Sequence, residues 1–176
     1  MNIELEKPRH RPGVASLYRR ALGPARHTRA AARLREGNAS LPETCFVLIA
    51  GGGAVRGSVR CWPVVVGAKW PTTLLGPLAV EEAVRGAGWG VALVEAAVSA
   101  AAALGETRML LVGDAPYYGR AGFEPSVRGA LVMPGPVDPG RVLVRALAPH
   151  AFEGVSGDVR PRGRASPEEA TDVTRR

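Results

Sequence analysis

The sequence has few aromatic residues, cysteines and histidines, and each scarcity narrows the functions that the chain can serve. Aromatic residues make up 5% of the 176 residues, so no platform of stacked rings for single-stranded nucleic acid is evident. Cys45 and Cys61 are the only cysteines, and each lies in an apolar run typical of a buried thiol. The three histidines have no ligand spacing with a cysteine or with one another. We therefore expect no metal site.

Long hydrophobic runs are also missing. The most apolar stretch, residues 91–104, carries Glu95 and Ser99, and it falls short of the ~20 residues that a membrane-spanning helix needs. The first residues lack the basic and then apolar pattern of a signal peptide. We therefore expect a cytoplasmic protein with no membrane partner.

Positive charge is abundant but diffuse. The net charge is +7, and nearly all of the cations are arginines, since Lys7 and Lys69 are the only lysines. The arginines are spread over both ends of the chain and form no single stripe, which favours a solvated surface over a nucleic-acid partner. A nucleic-acid-associated protein is a further hypothesis, and its binding to nucleic acid would weaken steeply with salt.

Hydrophobic periodicity and turn residues predict one mixed α/β domain. Strands are predicted at residues 3–6, 44–50, 55–63, 73–80, 109–112, 129–132 and 141–147, and another begins at 122–124. Gly76-Pro77 interrupts the strand at 73–80, so a bulge, an edge or a splay is expected there. Helices are predicted at residues 11–22, 25–35, 91–104 and 116–120. The domain is expected to span residues 1–152, followed by a flexible tail at 153–176 that is rich in Gly, Pro, Arg and Glu.

A glycine-rich turn joins the strand at 73–80 to the helix that follows it. It reads Arg85-Gly86-Ala87-Gly88-Trp89-Gly90. The first N–H groups of a helix have no internal acceptor, the helix dipole favours an anion there, and glycines let that anion approach the backbone. Arg85 adds a positive charge. These features predict a phosphate or pyrophosphate site.

Two other phosphate-binding patterns do not fit this turn. A Walker A loop requires a Lys and a Ser or Thr after its glycines, and neither is present. The dinucleotide fingerprint from Gly86 would place its third glycine at Val91, so it fails as well. A tight turn without a ligand is the simplest remaining alternative.

The turn and a second motif resemble those of the GNAT superfamily of N-acetyltransferases. Arg85, Gly88 and Gly90 fit its pattern Q/R-x-x-G-x-G/A, and Tyr118, Gly122 and Phe123 fit Y-x-x-x-G-F about 30 residues later. The segments LGPLAV (75–80), LVGDAPYY (111–118) and PGPVD (134–138) are similar to those of predicted bacterial acetyltransferases of the YhbS type. The resemblance covers residues 3–157 and is strongest over 74–123.

This resemblance implies the GNAT acyl-CoA N-acyltransferase fold, a mixed sheet whose strands at 73–80 and 109–112 splay apart to hold acetyl-CoA as the co-substrate. It implies Tyr118 as the general acid that protonates the leaving thiolate, with Tyr117 as the adjacent alternative. A packed tyrosine without a catalytic role is the simpler interpretation, and only one of the two rings is expected to point into the groove. The implied cofactor-binding residues are Leu78, Ala79, Val80, Arg85, Gly86, Ala87, Gly88, Trp89, Gly90 and Val91.

No residue is assigned as the general base. Glu81, Glu82, His27 and Glu43 are candidates by position alone, and a water chain is another. The leading hypothesis is an N-acetyltransferase that acts by direct attack of an amine-bearing acceptor, either a small molecule or a protein amine. The alternative is a catalytically weak acyl-CoA-binding module that serves as a sensor or partner subunit. Residues 9–38 and 128–141 are expected to shape the acceptor pocket, and homodimer formation is left open.

Overall fold

The structure is a computed structural model that describes residues 1–23 and 30–163. These residues form a nine-stranded sheet with helices on both faces. The helices are α1 (Arg11–Leu22), α2 (Ala30–Arg33), α3 (Trp89–Ala103) and α4 (Ala115–Tyr118). The strands are β1 (Asn2–Leu5), β2 (Phe46–Ile49), β3 (Val55–Val66), β4 (Trp70–Val80), β5 (Arg108–Val112), β6 (Glu124–Pro125), β7 (Leu131–Val132), β8 (Val142–Ala146) and β9 (Gly157–Pro161).

The sheet is mixed, as the sequence predicts. Its main path has the order β1-β2-β3-β4-β5-β8-β6. β4 and β5 pair in parallel, whereas the other neighbours on this path pair antiparallel. A parallel pair needs a long crossover connection, and α3 provides it between β4 and β5.

β4 and β5 stay together for only two paired positions. Thr73 pairs with Met109 and Leu74 with Leu110. Beyond these positions β4 continues to Val80 paired with β3, while β5 continues to Val112 paired with β8. A wedge therefore opens between the two strands, which confirms the predicted splay.

Gly76-Pro77 lies at an irregularity of β4, also as predicted. The register with β3 shifts between the Val59–Leu78 and Cys61–Leu75 pairs, so Gly76 and Pro77 together face Arg60. The indole N–H of Trp62 donates to the Gly76 carbonyl at 2.8 Å, and the Tyr18 hydroxyl donates to the Pro77 carbonyl at 3.1 Å. Side chains from β3 and α1 thus hold this segment where the wedge begins.

Hydrophobic side chains cover both faces of the sheet. Leu75 of β4 packs in the cluster that contains Leu93 and Ala97 of α3. Leu74, the residue before it, packs in the cluster that contains Leu34 and the α2 residue Ala30. Successive side chains of a strand point to opposite faces. The strands at the centre are therefore apolar on both sides, which explains why their sequences read as continuous apolar runs.

The predicted helix at residues 11–22 has the bounds of α1. Of the helix predicted at 25–35, only the part from Ala30 can be compared, because residues 24–29 lie outside the described ranges. The strand predicted at 141–147 is β8, next to β5. The strand predicted at 129–132 is shorter and pairs as β7 with β9, away from the main path.

The predicted start of the tail at Glu153 is wrong. Residues 157–161 form β9, which pairs antiparallel with β3 through Val66–Val159 and its neighbours. Val155 and Val159 are buried at 6% and 2% exposure. β9 pairs with residues 64–66 of β3, beyond the part of β3 that pairs with β2, and the local composition does not show this free edge. The remaining residues of the predicted tail, 164–176, lie outside the described ranges.

Candidate active site

The glycine-rich turn leads directly into α3, a helix of 15 residues. Gly88 is the N-cap with φ 82°, and Gly86 has φ 83°, a left-handed conformation that glycine adopts without strain. No side chain caps this helix start, and its first turn holds no acidic residue. A Cβ atom at Gly86 or Gly88 would meet nothing within 4 Å. The backbone at Gly86 and Gly88 is therefore open to an approaching ligand.

A groove of about 320 Å³ lies against this turn, at the mouth of the wedge. Arg85 and Arg120 border it, and no aspartate or glutamate is among the described residues that line it. Arg85 is held beside the end of β4, since its Nε donates to the Val80 carbonyl at 3.0 Å. The groove thus combines an uncapped helix start with two cations. The predicted cofactor-binding residues that line it are Leu78, Ala79, Val80, Arg85, Gly86, Gly88, Trp89, Gly90 and Val91.

Ala87 is the predicted cofactor-binding residue that does not line the groove. It lies between Gly86 and Gly88 in the turn and is exposed. The end of β4 and the glycine-rich turn, which the resemblance implies as two parts of one site, thus line the same groove.

Tyr117 and Tyr118 of α4 form the opposite wall. A Cβ atom at Gly90 would lie 2.0 Å from the Tyr117 hydroxyl oxygen, so this ring packs directly against the first turn of α3. The two tyrosine rings meet edge to face, with centroids 4.9 Å apart. Both tyrosines border the first groove.

The Y-x-x-x-G-F motif has a packing explanation. Gly122 adopts φ 69° and turns the chain, so that the Phe123 ring meets the Tyr118 ring at a centroid distance of 6.3 Å. On the other side a Cβ atom at Gly113 would lie 2.3 Å from the Tyr118 ring. Tyr118 is thus fixed between Phe123 and the backbone of Gly113.

The Tyr118 hydroxyl has no hydrogen-bond partner among the residues that the structure describes. Burial of its ring raises the pKa of Tyr118 to about 12, against the lowering effect of the nearby Arg141 charge. The phenol therefore keeps its proton at neutral pH. Burial also raises the pKa of Tyr117.

A second groove, of about 450 Å³, adjoins the first. Leu22, Leu78 and Tyr118 border both grooves, so they lie where the two meet. Parts of residues 9–38 and 128–141, the regions expected to shape an acceptor pocket, line the second groove. Its charged lining residues, among those described, are Arg35, Asp138 and Arg141.

Two arginines hold the carboxylate of Glu81, a candidate base that follows the end of β4. Glu81 accepts a short hydrogen bond from Arg56 and one from Arg20 at 3.3 Å. The hydrogen bond from Arg56 lowers the pKa of Glu81. Glu82 is exposed, and neither Glu82 nor Glu43 lines either groove. His27 lies outside the described residues.

Several lining residues have no recognisable signal in the sequence. Leu22 ends α1 and reaches the junction of the two grooves from a distant part of the chain. Gly113 matters only because the Tyr118 ring lies against it. Arg120 and Arg141 are two of many arginines, and only the fold shows which of them border a cavity.

No helix within residues 1–23 and 30–163 is both long enough and apolar enough to cross a membrane. Over the same residues, no three histidine, cysteine, aspartate or glutamate side chains gather as metal ligands would.

The model of the acetyltransferase (GNAT) domain family matches residues 42–125, which contain the wedge, the glycine turn and both tyrosines. The uncharacterized N-acetyltransferase YhbS of Escherichia coli (strain K12) is 31% identical over 159 residues, which are 89% of this chain and 93% of YhbS.

Solved structures agree with this match. The crystal structure of Escherichia coli YhbS in complex with CoA superposes with a TM-score of 0.78 at 31% identity, covering 92% of this chain and 89% of that one. A GNAT family acetyltransferase from Brucella melitensis, crystallised with acetyl-CoA, has the same fold with a TM-score of 0.66 at 23% identity, covering 90% and 94% of the two chains. The fold is that of the GNAT acetyltransferases. The chain belongs to the GNAT N-acetyltransferase family.

Proposed function

We propose that this chain transfers the acetyl group of acetyl-CoA to an amine acceptor by direct attack. One observation carries the proposal: the uncapped start of α3 opens on a groove that continues past Tyr118 into a second cavity. A donor in the first groove and an acceptor in the second would meet at Tyr118. The crystallisation of YhbS with CoA and of the Brucella melitensis protein with acetyl-CoA supports the choice of donor.

The turn from Arg85 to Val91 would bind the pyrophosphate of the donor. The N–H groups of Gly88, Trp89, Gly90 and Val91 have no acceptor within the helix, whose hydrogen bonds begin with Ala92 N–H to the Gly88 carbonyl. Phosphate oxygens would accept from them, with the helix dipole and the charges of Arg85 and Arg120 adding attraction.

The open edge of β4 would hold the pantetheine chain. Leu78, Ala79 and Val80 are paired with β3 on one side and face the wedge on the other. The backbone groups on this free edge need partners, and the amides of pantetheine would provide them. The thioester would then lie between the edge of β4 and Tyr118.

Tyr118 would act as the general acid. The acceptor nitrogen attacks the thioester carbonyl and forms the new C–N bond, after which the C–S bond breaks and the thiolate leaves. The Tyr118 phenol gives its proton to that thiolate, and the proton of the acceptor nitrogen passes to water. The raised pKa of Tyr118 keeps the phenol protonated until this step.

Isothermal titration with acetyl-CoA tests the donor half. We expect saturable binding, and a folded protein that shows no heat at millimolar ligand would contradict the proposal. Release of free thiol with a panel of amines then tests transfer.

One observation favours the sensor alternative. Glu81, a candidate general base, is held by two arginines and lines neither groove. Tight binding of acetyl-CoA without thiol release on any amine would favour that alternative. A cytoplasmic location and a homodimer stay predictions, which cell fractionation and sedimentation analysis would check.

A further inference from the structure

The hydroxyl group of Tyr117 lies beside the start of α3. A Cβ atom at Gly90 would lie 2.0 Å from the Tyr117 hydroxyl oxygen and 3.3 Å from its Cζ atom. The phenol oxygen is therefore the part of the Tyr117 side chain that comes nearest to the first turn of α3. Resting on the function proposed above, we propose that Tyr117 is a further binding residue, whose hydroxyl donates a hydrogen bond to the pyrophosphate of acetyl-CoA.

The Tyr117 hydroxyl is available to a ligand. It has no hydrogen-bond partner among the residues that the structure describes, and the side chain is partly buried at the border of the first groove. A phenylalanine would fill the same space, so packing alone does not account for the oxygen. Water can bind the hydroxyl before the donor arrives, and a phosphate oxygen can then replace that water.

Tyr117 is a hydrogen-bond donor at neutral pH. Burial raises the pKa of Tyr117, and the positive charge of Arg120 lowers it by a smaller amount. The phenol therefore keeps its proton. A protonated phenol donates one hydrogen bond, and an ionised phosphate oxygen is an acceptor that makes this bond shorter and stronger than a bond to a neutral group.

The surroundings of this hydroxyl favour an anion over a neutral ligand. The N–H groups of Gly90 and Val91 have no acceptor within α3. Arg120 borders the same groove and has no ion-pair partner within residues 1–23 and 30–163. The hydroxyl thus shares one groove with free N–H groups and a guanidinium, all of which can donate. A pyrophosphate offers acceptor oxygens to each of them.

The contact with Tyr117 also explains the glycine at position 90. The family pattern accepts alanine there, and Gly90 lies inside α3 without a positive φ, so its backbone conformation is open to other residues. Alanine would also favour the helix. The Tyr117 hydroxyl oxygen occupies the space that a methyl group would need. Gly90 and Tyr117 therefore form a matched pair that gives the oxygen a defined place at the helix start.

Tyr117→Phe tests the proposal, because it removes the hydroxyl and leaves the ring. We expect the Kd for acetyl-CoA in isothermal titration to rise about 10- to 100-fold, the scale of a hydrogen bond to a charged group. The unfolding temperature of the ligand-free protein should stay the same, since the hydroxyl has no partner to lose. A purely structural role would lower the unfolding temperature instead.

Truncated donors show which part of the ligand the hydroxyl contacts. Acetyl-dephospho-CoA keeps the pyrophosphate and lacks the 3′-phosphate, whereas S-acetylpantetheine lacks every phosphate. Tyr117→Phe should weaken binding of acetyl-dephospho-CoA as much as that of acetyl-CoA. It should leave the affinity for S-acetylpantetheine, measured by competition with acetyl-CoA, unchanged. This pattern would assign the contact to the pyrophosphate.

A second pair of variants tests the placement of the oxygen. Gly90→Ala should displace Tyr117 and weaken acetyl-CoA binding, because its methyl group would overlap the hydroxyl oxygen. The same change made in Tyr117→Phe should have a much smaller effect. Gly119→Ala is the matched control, since Gly119 has a helical conformation and a Cβ atom there would meet nothing within 4 Å.

Three results would overturn this inference and leave the proposed function intact. The first is equal or tighter binding of acetyl-CoA by Tyr117→Phe. The second is an equal loss of affinity for S-acetylpantetheine, and the third is a loss that disappears with acetyl-dephospho-CoA. A folded native protein that binds no acetyl-CoA would overturn both this inference and the proposed function.

Discussion

The two grooves differ in how the chain builds them. Most of the first groove comes from one continuous stretch, residues 78–91, to which α4 adds its tyrosines. The second groove is assembled from α1, α2 and the segment after it, the middle of β4, the end of β5, α4 and residues 136–141. The first offers mainly backbone N–H groups and glycines, whereas the second offers side chains. A backbone site leaves a short sequence pattern, and a composite side-chain site leaves none.

The variant with the largest expected effect disrupts ligand binding in the first groove only. Gly88→Asp places a carboxylate at the start of α3, where it repels the pyrophosphate and strains a left-handed residue. We expect acetyl-CoA binding to be lost in isothermal titration. Gly105→Asp is the matched control, since Gly105 has φ 80° and lies past the opposite end of the same helix. Retained affinity in Gly88→Asp would place the pyrophosphate elsewhere.

A second variant acts where the two grooves meet. Tyr118→Phe should keep acetyl-CoA binding but slow turnover by about 10²-fold, because the thiolate would leave without a proton donor. Tyr117→Phe separates the two tyrosines, since Tyr117 borders only the first groove and should change kcat much less. Single-turnover rates measure both. If Tyr117→Phe turns over slowly and Tyr118→Phe turns over at the normal rate, Tyr117 and not Tyr118 is the general acid.

A third variant weakens the hydrophobic packing beside the second groove. Val159 of β9 is 2% exposed and packs in the cluster that contains Ala30 and Leu34 near the second groove. Val159→Ala should lower the free energy of unfolding by about 2 kcal/mol, as measured in urea. Val132→Ala, at a position that is 50% exposed, should change it by less than about 0.5 kcal/mol. Equal stability of the two variants would mean that β9 adds nothing to the domain.

The smallest effect concerns pH. An acid whose pKa is raised keeps its proton to higher pH, so Tyr118, at a pKa of about 12, stays protonated throughout pH 7–10. Turnover should therefore rise with pH as the acceptor amine loses its proton, without a falling limb in this range. A decline centred below about pH 10 that disappears in Tyr118→Phe would show that the phenol titrates earlier.

The difference between the grooves also explains what could be predicted from the sequence. The strand before the turn, the glycine pattern and the tyrosine motif are short, local and rich in residues with special backbone properties. They were enough for the mixed sheet, the splay at Gly76-Pro77 and most of the predicted binding residues to be placed along one groove. Leu22 and Arg141 could not be found this way, because they reach the site from distant segments whose local sequences are ordinary.

β9 was missed for a related reason. Its sequence is polar, and its place in the domain depends on an edge of β3 and on β7, both far away along the chain. Strand pairing satisfies backbone groups whatever the side chains are, so composition is a poor guide to it.

The sequence by itself determined the glycine turn of Arg85 to Gly90, the tyrosine that follows it and the family to which both belong. These depend on conformations that particular residues allow locally, which is why they can be seen without coordinates. Only the tertiary structure decided that Arg141 and Asp138 share a cavity with Tyr118, and that β9 belongs to the domain. Such contacts join residues far apart in the chain, and packing rather than local preference selects them.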